Sequence, residues 1–195
     1  MPTAQEVFMQ ARAYLTSDKR APYMAEMAYR ITGSPIESTI GTFACTRDGR
    51  LVVDWSAVDI WGKQDNGKGY RRVAGALMHE LLHLQLDHPA RIEKLIAGVE
   101  DLRPLANIAA DIYVNFLLGQ AKNQDGSPMW PLPDFSYVGQ GAKAAEAKDY
   151  NIPPGLTLEE NFALLRKQQN KPKPKHVCAG ACGSAAGNPA KDEPA

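Results

Sequence analysis

The sequence predicts an α+β fold in which helices flank a small antiparallel sheet of two to four strands. Apolar residues recur at helical spacing along most of the chain, and two β-like runs are separated by Asp48-Gly49, a pair typical of hairpin turns. The chain has 195 residues, of which 44% are hydrophobic and 23% charged, so it can bury a core without disulfides. We expect one domain over residues 1–168 and a flexible tail, rich in Pro, Gly and Ala, over 169–195.

The N-terminal part is predicted to form two helices followed by the two strands. The first helix covers Ala4 to Leu15, with its apolar residues on one face. The second starts at Pro22, where a first helical turn tolerates proline, and ends before Gly33. The strands run over residues 39–46 and 50–55.

Four further helices are predicted from apolar periodicity and from proline or glycine at their ends, over residues 71–88, 92–102, 104–119 and 156–167. Pro89 ends the first of them, because the residue before a proline avoids helical geometry. Thr157 and Glu160 form a capping box at the start of the last. The stretch 120–141 is rich in Gly, Pro and polar residues and is predicted as a long loop.

Composition excludes several functional classes. The 22 basic and 22 acidic residues cancel, so no net field favours nucleic acid or an anionic membrane. No apolar run approaches the ~18–20 residues of a membrane span, and residues 1–6 lack the pattern of a secretion signal. We therefore expect a cytoplasmic protein that binds neither nucleic acid nor membrane.

The three cysteines do not predict a disulfide framework, because their number is odd. Cys178 and Cys182, together with His176, offer only three ligands at a spacing that suits a zinc finger poorly. We interpret these two thiols as incidental. Cys45 lies in a β-like run and is interpreted as a small core or edge residue.

The segment His79-Glu80-Leu81-Leu82-His83 follows the pattern H-E-x-x-H. Histidines four residues apart on a helix lie on one face, so both imidazoles can bind one zinc ion. Glu80 lies beside that face, where it can act as general base toward a metal-activated water. The other interpretation is a pair of partly buried histidines satisfied by ordinary hydrogen bonds; the mid-helix position favours metal binding.

A zinc hydrolase needs a third protein ligand and an open fourth position, and three residues are candidates. His88 would face away from His79 on a continuing helix, and no glycine between His83 and His88 helps the chain to turn. Asp87 is nearer the correct face but lies at the helix end. Asp111 lies in an almost wholly apolar helix, where a buried carboxylate needs a cation or several donors.

Of these candidates we favour Asp111 and place His88 second. Asn107 and Asn115, four residues before and after Asp111, form one polar stripe with it. We interpret both as side chains that orient ligands, because amides are weak zinc ligands. A stripe that faces solvent is the alternative.

Several segments in order resemble a metallopeptidase domain of bacterial and phage proteins that is often found before a von Willebrand factor A-like domain. The resemblance covers roughly residues 20–187 and is carried by PYMAEMA at 22–28, GTFACTRDGRL at 41–51, HELLHLQLDHPAR at 79–91, NIAADIYVN at 107–115, LEENFALL at 158–165 and CGSAAG at 182–187. It implies a zincin-like fold that acts on peptides or proteins. His79, Glu80 and His83 take the metal and catalytic roles, with His88 and Asp111 as further site residues.

The resemblance has two further implications. In zincins more broadly, an edge strand before the active helix binds the substrate backbone, which would assign residues 42–46 or 51–55 to that role. The chain stops too soon after residue 187 for a von Willebrand-type domain, so we expect any function of such a domain to come from a partner protein in trans.

Two functional hypotheses result. The first is a zinc-dependent metallopeptidase that hydrolyses peptide bonds, with Glu80 as general base. The second is a non-catalytic module in which zinc bound by His79, His83, His88 and Asp111 fastens two helices together and the domain acts with a partner protein. The glutamate favours the enzyme, because a structural zinc site has no need of it.

Overall fold

The computed structural model describes residues 2–17, 22–133 and 144–168, and these residues form an α+β fold. They contain seven α-helices and one three-stranded sheet, in the order α1 Ala4–Thr16, α2 Pro22–Ile31, β1 Ile36–Glu37, β2 Phe43–Cys45, β3 Leu51–Val53, α3 Trp55–Gly62, α4 Tyr70–Gln85, α5 His88–Ile96, α6 Arg103–Gln120 and α7 Leu158–Lys167. No helix within these ranges is long and apolar enough to cross a bilayer. The predicted tail and its two cysteines lie outside the described residues.

Two helices begin with reciprocal side-chain caps. The Thr3 hydroxyl at the start of α1 accepts from the Glu6 N–H at 3.2 Å, and the Glu6 carboxylate accepts from the Thr3 N–H at 2.7 Å. Thr157 and Glu160 repeat this arrangement at the start of α7, which confirms the predicted capping box. Each box satisfies backbone donors that the first turn of a helix leaves unpaired.

The sheet is mixed, with β3 in its centre. β2 pairs with β3 antiparallel through the predicted hairpin, whereas β1 pairs with β3 in parallel on the other side. The prediction of an antiparallel sheet is therefore wrong for β1, whose two residues carry no alternating pattern and pair along the side of β3 that the hairpin leaves open. Because β3 is central, residues 51–53 cannot be a substrate-binding edge strand, whereas β2 lies at an edge of the described sheet.

Asp54 ends β3 and begins α3, a helix that the periodicity did not predict. Its carboxylate accepts from the Ser56 N–H at 2.8 Å and from the Gly41 N–H at 2.7 Å. The β-like run therefore stops at Val53, and the chain turns into α3, whose Trp61 is completely buried.

The chain turns sharply between α4 and α5. The helix that was predicted to reach His88 ends at Gln85, and Asp87 adopts a left-handed conformation with φ 52°. Aspartate tolerates this conformation better than most residues, so the turn needs no glycine. Pro89 lies in the first turn of α5, and His88 is brought back toward α4.

Two hydrophobic cores meet along α6. The first is built by α1, the sheet, α3 and α4 and includes Phe43, Trp61 and Leu77. The second is built by α5, α6 and α7 and includes Ile112 and Phe162. α6 also contributes to the first core, so α4 and α6 pack together where the two cores join.

Gly75 lets the segment 130–131 pack directly on α4. A Cβ atom at this position would lie 2.1 Å from the carbonyl oxygen of Pro131 and 2.7 Å from its carbonyl carbon, both backbone atoms. Arg72, three residues earlier, donates from Nη1 to the carbonyl of Leu132 at 2.7 Å. A close contact and a hydrogen bond thus hold residues 130–132 against α4.

Candidate metal centre

Helices α4 and α6 bring three metal-ligating side chains together. The Nε2 atoms of His79 and His83, one helical turn apart on α4, are separated by 3.0 Å. The Oδ1 atom of Asp111 on α6 lies 3.2 Å from Nε2 of His83 and 3.6 Å from Nε2 of His79. Three of the predicted site residues thus form one cluster that could hold a metal ion.

The dimensions of this triangle suit a small divalent cation. Ligand atoms about 2.0–2.1 Å from a tetrahedral ion lie about 3.3–3.4 Å from one another, close to the distances between these three atoms. Asp111 is only 4% exposed. Its Oδ1 has no well-oriented hydrogen-bond donor within the described part of the chain. A buried carboxylate in this position requires a compensating cation, which an ion bound by the three atoms would supply.

Burial and mutual attraction act in opposite directions on the protonation of the cluster. Burial alone would raise the pKa of Asp111, but the adjacent imidazoles of His79 and His83 outweigh it and lower the pKa to about 2. Burial alone would likewise lower the pKa of His79, but Asp111 outweighs it and raises the pKa above the ordinary 6.5. A proton on His79 therefore competes with a cation for the same nitrogen.

We expect metal affinity to keep rising with pH above 6.5, because the ion must displace a proton that the apo protein holds through the raised pKa of His79. Below that pKa, displacement of one proton lowers the metal affinity by about tenfold for each unit by which the pH falls. Competition with a chelator of known affinity, from pH 6 to pH 9, measures the effect. An affinity that is level from pH 6.5 upward would show that His79 holds no such proton.

Asn115 fixes the orientation of His79. Its Oδ1 lies 3.0 Å from Nδ1 of His79, while its Nδ2 donates to the carbonyl of Ala145 at 2.9 Å. Because the second bond identifies the Nδ2 side as the donor, Oδ1 accepts from Nδ1–H of His79, which leaves Nε2 for a metal ion. The expected orienting role is thus supported for Asn115. Asn107 is also buried, but its Oδ1 has no hydrogen-bond partner among the described residues.

His88 lies behind His83 and outside the triangle of ligand atoms. Its Nδ1 is 3.1 Å from Nδ1 of His83, whose Nε2 faces Asp111. The side chain is completely buried, and burial followed by the nearby His83 lowers its pKa to about 3, so the ring is neutral. Asp87, the other candidate at this end of α4, is exposed in the turn. His88 is therefore placed to accept a hydrogen bond from His83.

Glu80 lies next to the triangle, at a cavity of about 20 Å³ that is also lined by His79, Asp111 and Asn115. This volume holds about one water molecule. The Glu80 side chain is only 3% exposed and is within hydrogen-bonding reach of the Cys45 thiol on β2. Burial, followed by the nearby Glu80 carboxylate, raises the pKa of Cys45, so the thiol stays protonated and can donate to Glu80.

The sequence interpretation did not assign some of the residues around this cavity to the site. Cys45 is the small buried strand residue that was expected, but its contact with Glu80 was not. Leu132 and Ala145, which also line the cavity, come from the region predicted only as a long loop and from the residues after it. No local pattern marks them, because packing against α4 and α6 places them there.

Comparison with known proteins identifies one family whose sequence model matches this chain. The sequence model of a family described as "Putative metallopeptidase domain" matches residues 9–148, more than half of the chain. The matched range contains all five predicted site residues. It does not include the segments at 158–165 and 182–187, so that part of the resemblance stays a prediction. Searches of curated proteins and of solved structures each found no match.

Proposed function

The chain belongs to this metallopeptidase domain family, and from that premise we propose that it is a zinc-dependent peptidase. The observation that carries the proposal is the triangle formed by His79, His83 and Asp111, with the carboxylate of Glu80 beside it. Peptides or proteins are the substrates that such an enzyme would hydrolyse.

The ligand set favours zinc over other common cations. Two imidazole nitrogens and one carboxylate oxygen are typical of catalytic zinc sites, which use three protein ligands and leave the fourth position open. Calcium and magnesium prefer sites made of oxygen atoms alone. Among the described residues, only His79, His83 and Asp111 form the group that could hold the ion. The fourth coordination position is therefore open in this proposal.

In this proposal the protein supplies a base and a fixed set of ligands. Bound zinc would supply Lewis acidity, which polarises the scissile carbonyl and acidifies the attacking water. Glu80 accepts the proton from that water and then delivers it to the nitrogen of the leaving amine. Asn115 and His88 keep the imidazoles of His79 and His83 in the tautomer that presents Nε2.

We further propose that the arrangement is zincin-like, with α4 as the active helix and β2 as the strand beside the substrate. Thr42 and Phe43 of this edge line the cavity next to Glu80. The carbonyl of Thr42 accepts from Asp54 N–H, and Thr46 N–H donates to the carbonyl of Arg50, so even-numbered residues pair with β3. Backbone groups of the alternate residues are directed to the outer edge of β2.

Metal analysis combined with a cleavage assay tests the proposal. We expect purified protein to contain about one zinc per chain and to cleave an unfolded protein such as casein. A chelator should abolish cleavage and added zinc should restore it. Cleavage that persists in protein shown to be metal-free would overturn the proposal.

A non-catalytic zinc-stabilised module is the second candidate, favoured by how deeply the ligands are buried. His83 and Asp111 are 1% and 4% exposed. The version with four protein ligands has weaker support, because His88 contacts the far nitrogen of His83. Stoichiometric zinc, a large loss of thermal stability on chelation and no cleavage of a diverse peptide mixture would support this candidate.

A pair of His88 variants tests how His83 is oriented. His88→Leu removes the acceptor for Nδ1–H of His83 and should weaken zinc binding by about 10–100-fold, the usual effect of losing such a bond. His88→Asn keeps an acceptor near the same place and should retain most of the affinity. Zinc titration against a competing chelator measures both. Equal affinities in the two variants would contradict the positioning role.

A further inference from the structure

A cleft of about 610 Å³ adjoins the cavity of the metal centre. Asn115, Leu132 and Ala144 line both spaces, so the two spaces are neighbours within the described structure. The volume is within the range of about 300–1,000 Å³ that is usual for ligand sites. The cleft is therefore large enough to hold part of a substrate whose reacting bond lies at the cavity.

Helix α6 forms one wall and leads from the metal centre into the cleft. Asp111, Asn115 and Gly119 are spaced by four residues and so lie along one side of the helix. Asp111 belongs to the triangle, Asn115 contacts His79, and Gly119 lines only the larger space. At 1.5 Å per residue, Gly119 lies about 12 Å along the helix from Asp111.

The other walls of the cleft are mainly apolar. Ile112 and Phe116 of α6 face the segment that contains Trp130, Pro131 and Leu132. That segment is held in place by its contact with Gly75 and the hydrogen bond from Arg72 described above.

Three charged side chains line the cleft, and each is in an ion pair. Arg72 binds Asp65 through Nε at 2.7 Å, and Lys148 pairs with Glu146. A group that enters the cleft therefore contacts apolar surface and no uncompensated charge. This surface favours an uncharged occupant.

We propose that this cleft binds a large apolar side chain of the peptide substrate, aromatic or long aliphatic, close to the bond that is cleaved. The inference rests on the proposed function, because it takes the metal centre as the position of that bond. It gives the enzyme a preference that the metal and Glu80 alone do not provide, since those groups contact only the peptide backbone.

Two hydroxamates, which chelate a bound metal, test the cleft without any need for cleavage. Acetohydroxamate contacts the metal alone, and 4-phenylbutanohydroxamate adds a phenyl group that can extend into the cleft. Burial of a phenyl group should make the second bind zinc-loaded protein about 10–100-fold more tightly. Calorimetry with the full chain measures both affinities.

A filling variant shows where the phenyl group binds. A Cβ atom at Gly119 would have no atom of the described residues within 4 Å, so Gly119→Trp places an indole in open space at the cleft. The affinity ratio of the two hydroxamates should fall to less than about 3-fold in this variant. Met9→Trp, at a residue of α1 that is 54% exposed, introduces the same side chain elsewhere and should keep the wild-type ratio.

The outcomes distinguish a failure of the proposed cleft from a failure of the proposed metal centre. Wild-type protein that binds both hydroxamates equally would overturn the cleft and leave the metal centre intact, a comparison that does not depend on the folding of any variant. Protein that binds neither hydroxamate would overturn the proposed function and this inference with it. A ratio that is unchanged in Gly119→Trp would place the phenyl group outside the cleft.

Discussion

Asp111→Asn is expected to weaken metal binding by more than about 100-fold, because loss of an outer orienting bond alone costs about 10–100-fold and this change removes a ligand. Asparagine keeps the shape of the side chain but not the charge, and amide oxygens are weak zinc ligands. The substitution removes the anion that would compensate a cation held between the two imidazoles. Titration with zinc against a competing chelator measures the loss.

The same substitution has a second expected effect, on the apo protein. Asp111 has a folded pKa of about 2, below its ordinary 3.8, so its ionised form stabilises the fold above pH 3.8 and that stabilisation is lost as the pH falls toward 2. The variant should lose this part of the acid dependence. Asp101→Asn, at an exposed position just before α6, is the matched control. For the first effect, a zinc affinity of Asp111→Asn within tenfold of wild type would show that this carboxylate is not part of the metal centre.

Glu80→Gln is expected to lower kcat/KM for peptide hydrolysis by about 10²–10⁴-fold, the usual contribution of a general base. Glutamine fills the same buried space and can still accept a hydrogen bond from Cys45, so the fold and the zinc content should be unchanged. It cannot take a proton from water at neutral pH. The prediction therefore separates chemistry from metal binding, which no ligand substitution can do.

Steady-state kinetics and elemental analysis of the same preparation check this prediction. Glu26→Gln provides the matched control, because Glu26 lies on the surface of α2 with its side chain 64% exposed. Full activity in Glu80→Gln would exclude Glu80 as the base. Loss of zinc together with activity would instead indicate that Glu80 supports the metal centre.

Most of the helices could be predicted because their signals are local. Caps such as Thr157 with Glu160, and apolar residues on one face, are visible within a dozen residues. The failures have physical causes. The start of α3 was hidden because Asp54, its cap, follows directly after the valines of β3. β1 has only two residues, and its parallel pairing depends on a strand 15 residues further along the chain.

The centre of the candidate site could be predicted for the same reason, and its surroundings could not. His79 and His83 share one helical turn, and the presence of a carboxylate in an apolar helix indicated Asp111. The position of His88 depends on a left-handed residue at Asp87, for which no glycine gives a signal. The contact between Cys45 and Glu80, and the walls formed by residues 130–132 and 144–145, arise only from tertiary packing.

The missing side chain at Gly75 makes this position an indicator of site geometry across the family. A relative with alanine or a larger residue there must hold the equivalent of residues 130–132 farther from its active helix, because two backbone atoms of Pro131 occupy the space that a Cβ would need. The mouth of such a relative's site would be wider on that side. Residue identity at this one position is thus expected to report how closely that segment approaches the helix in each family member.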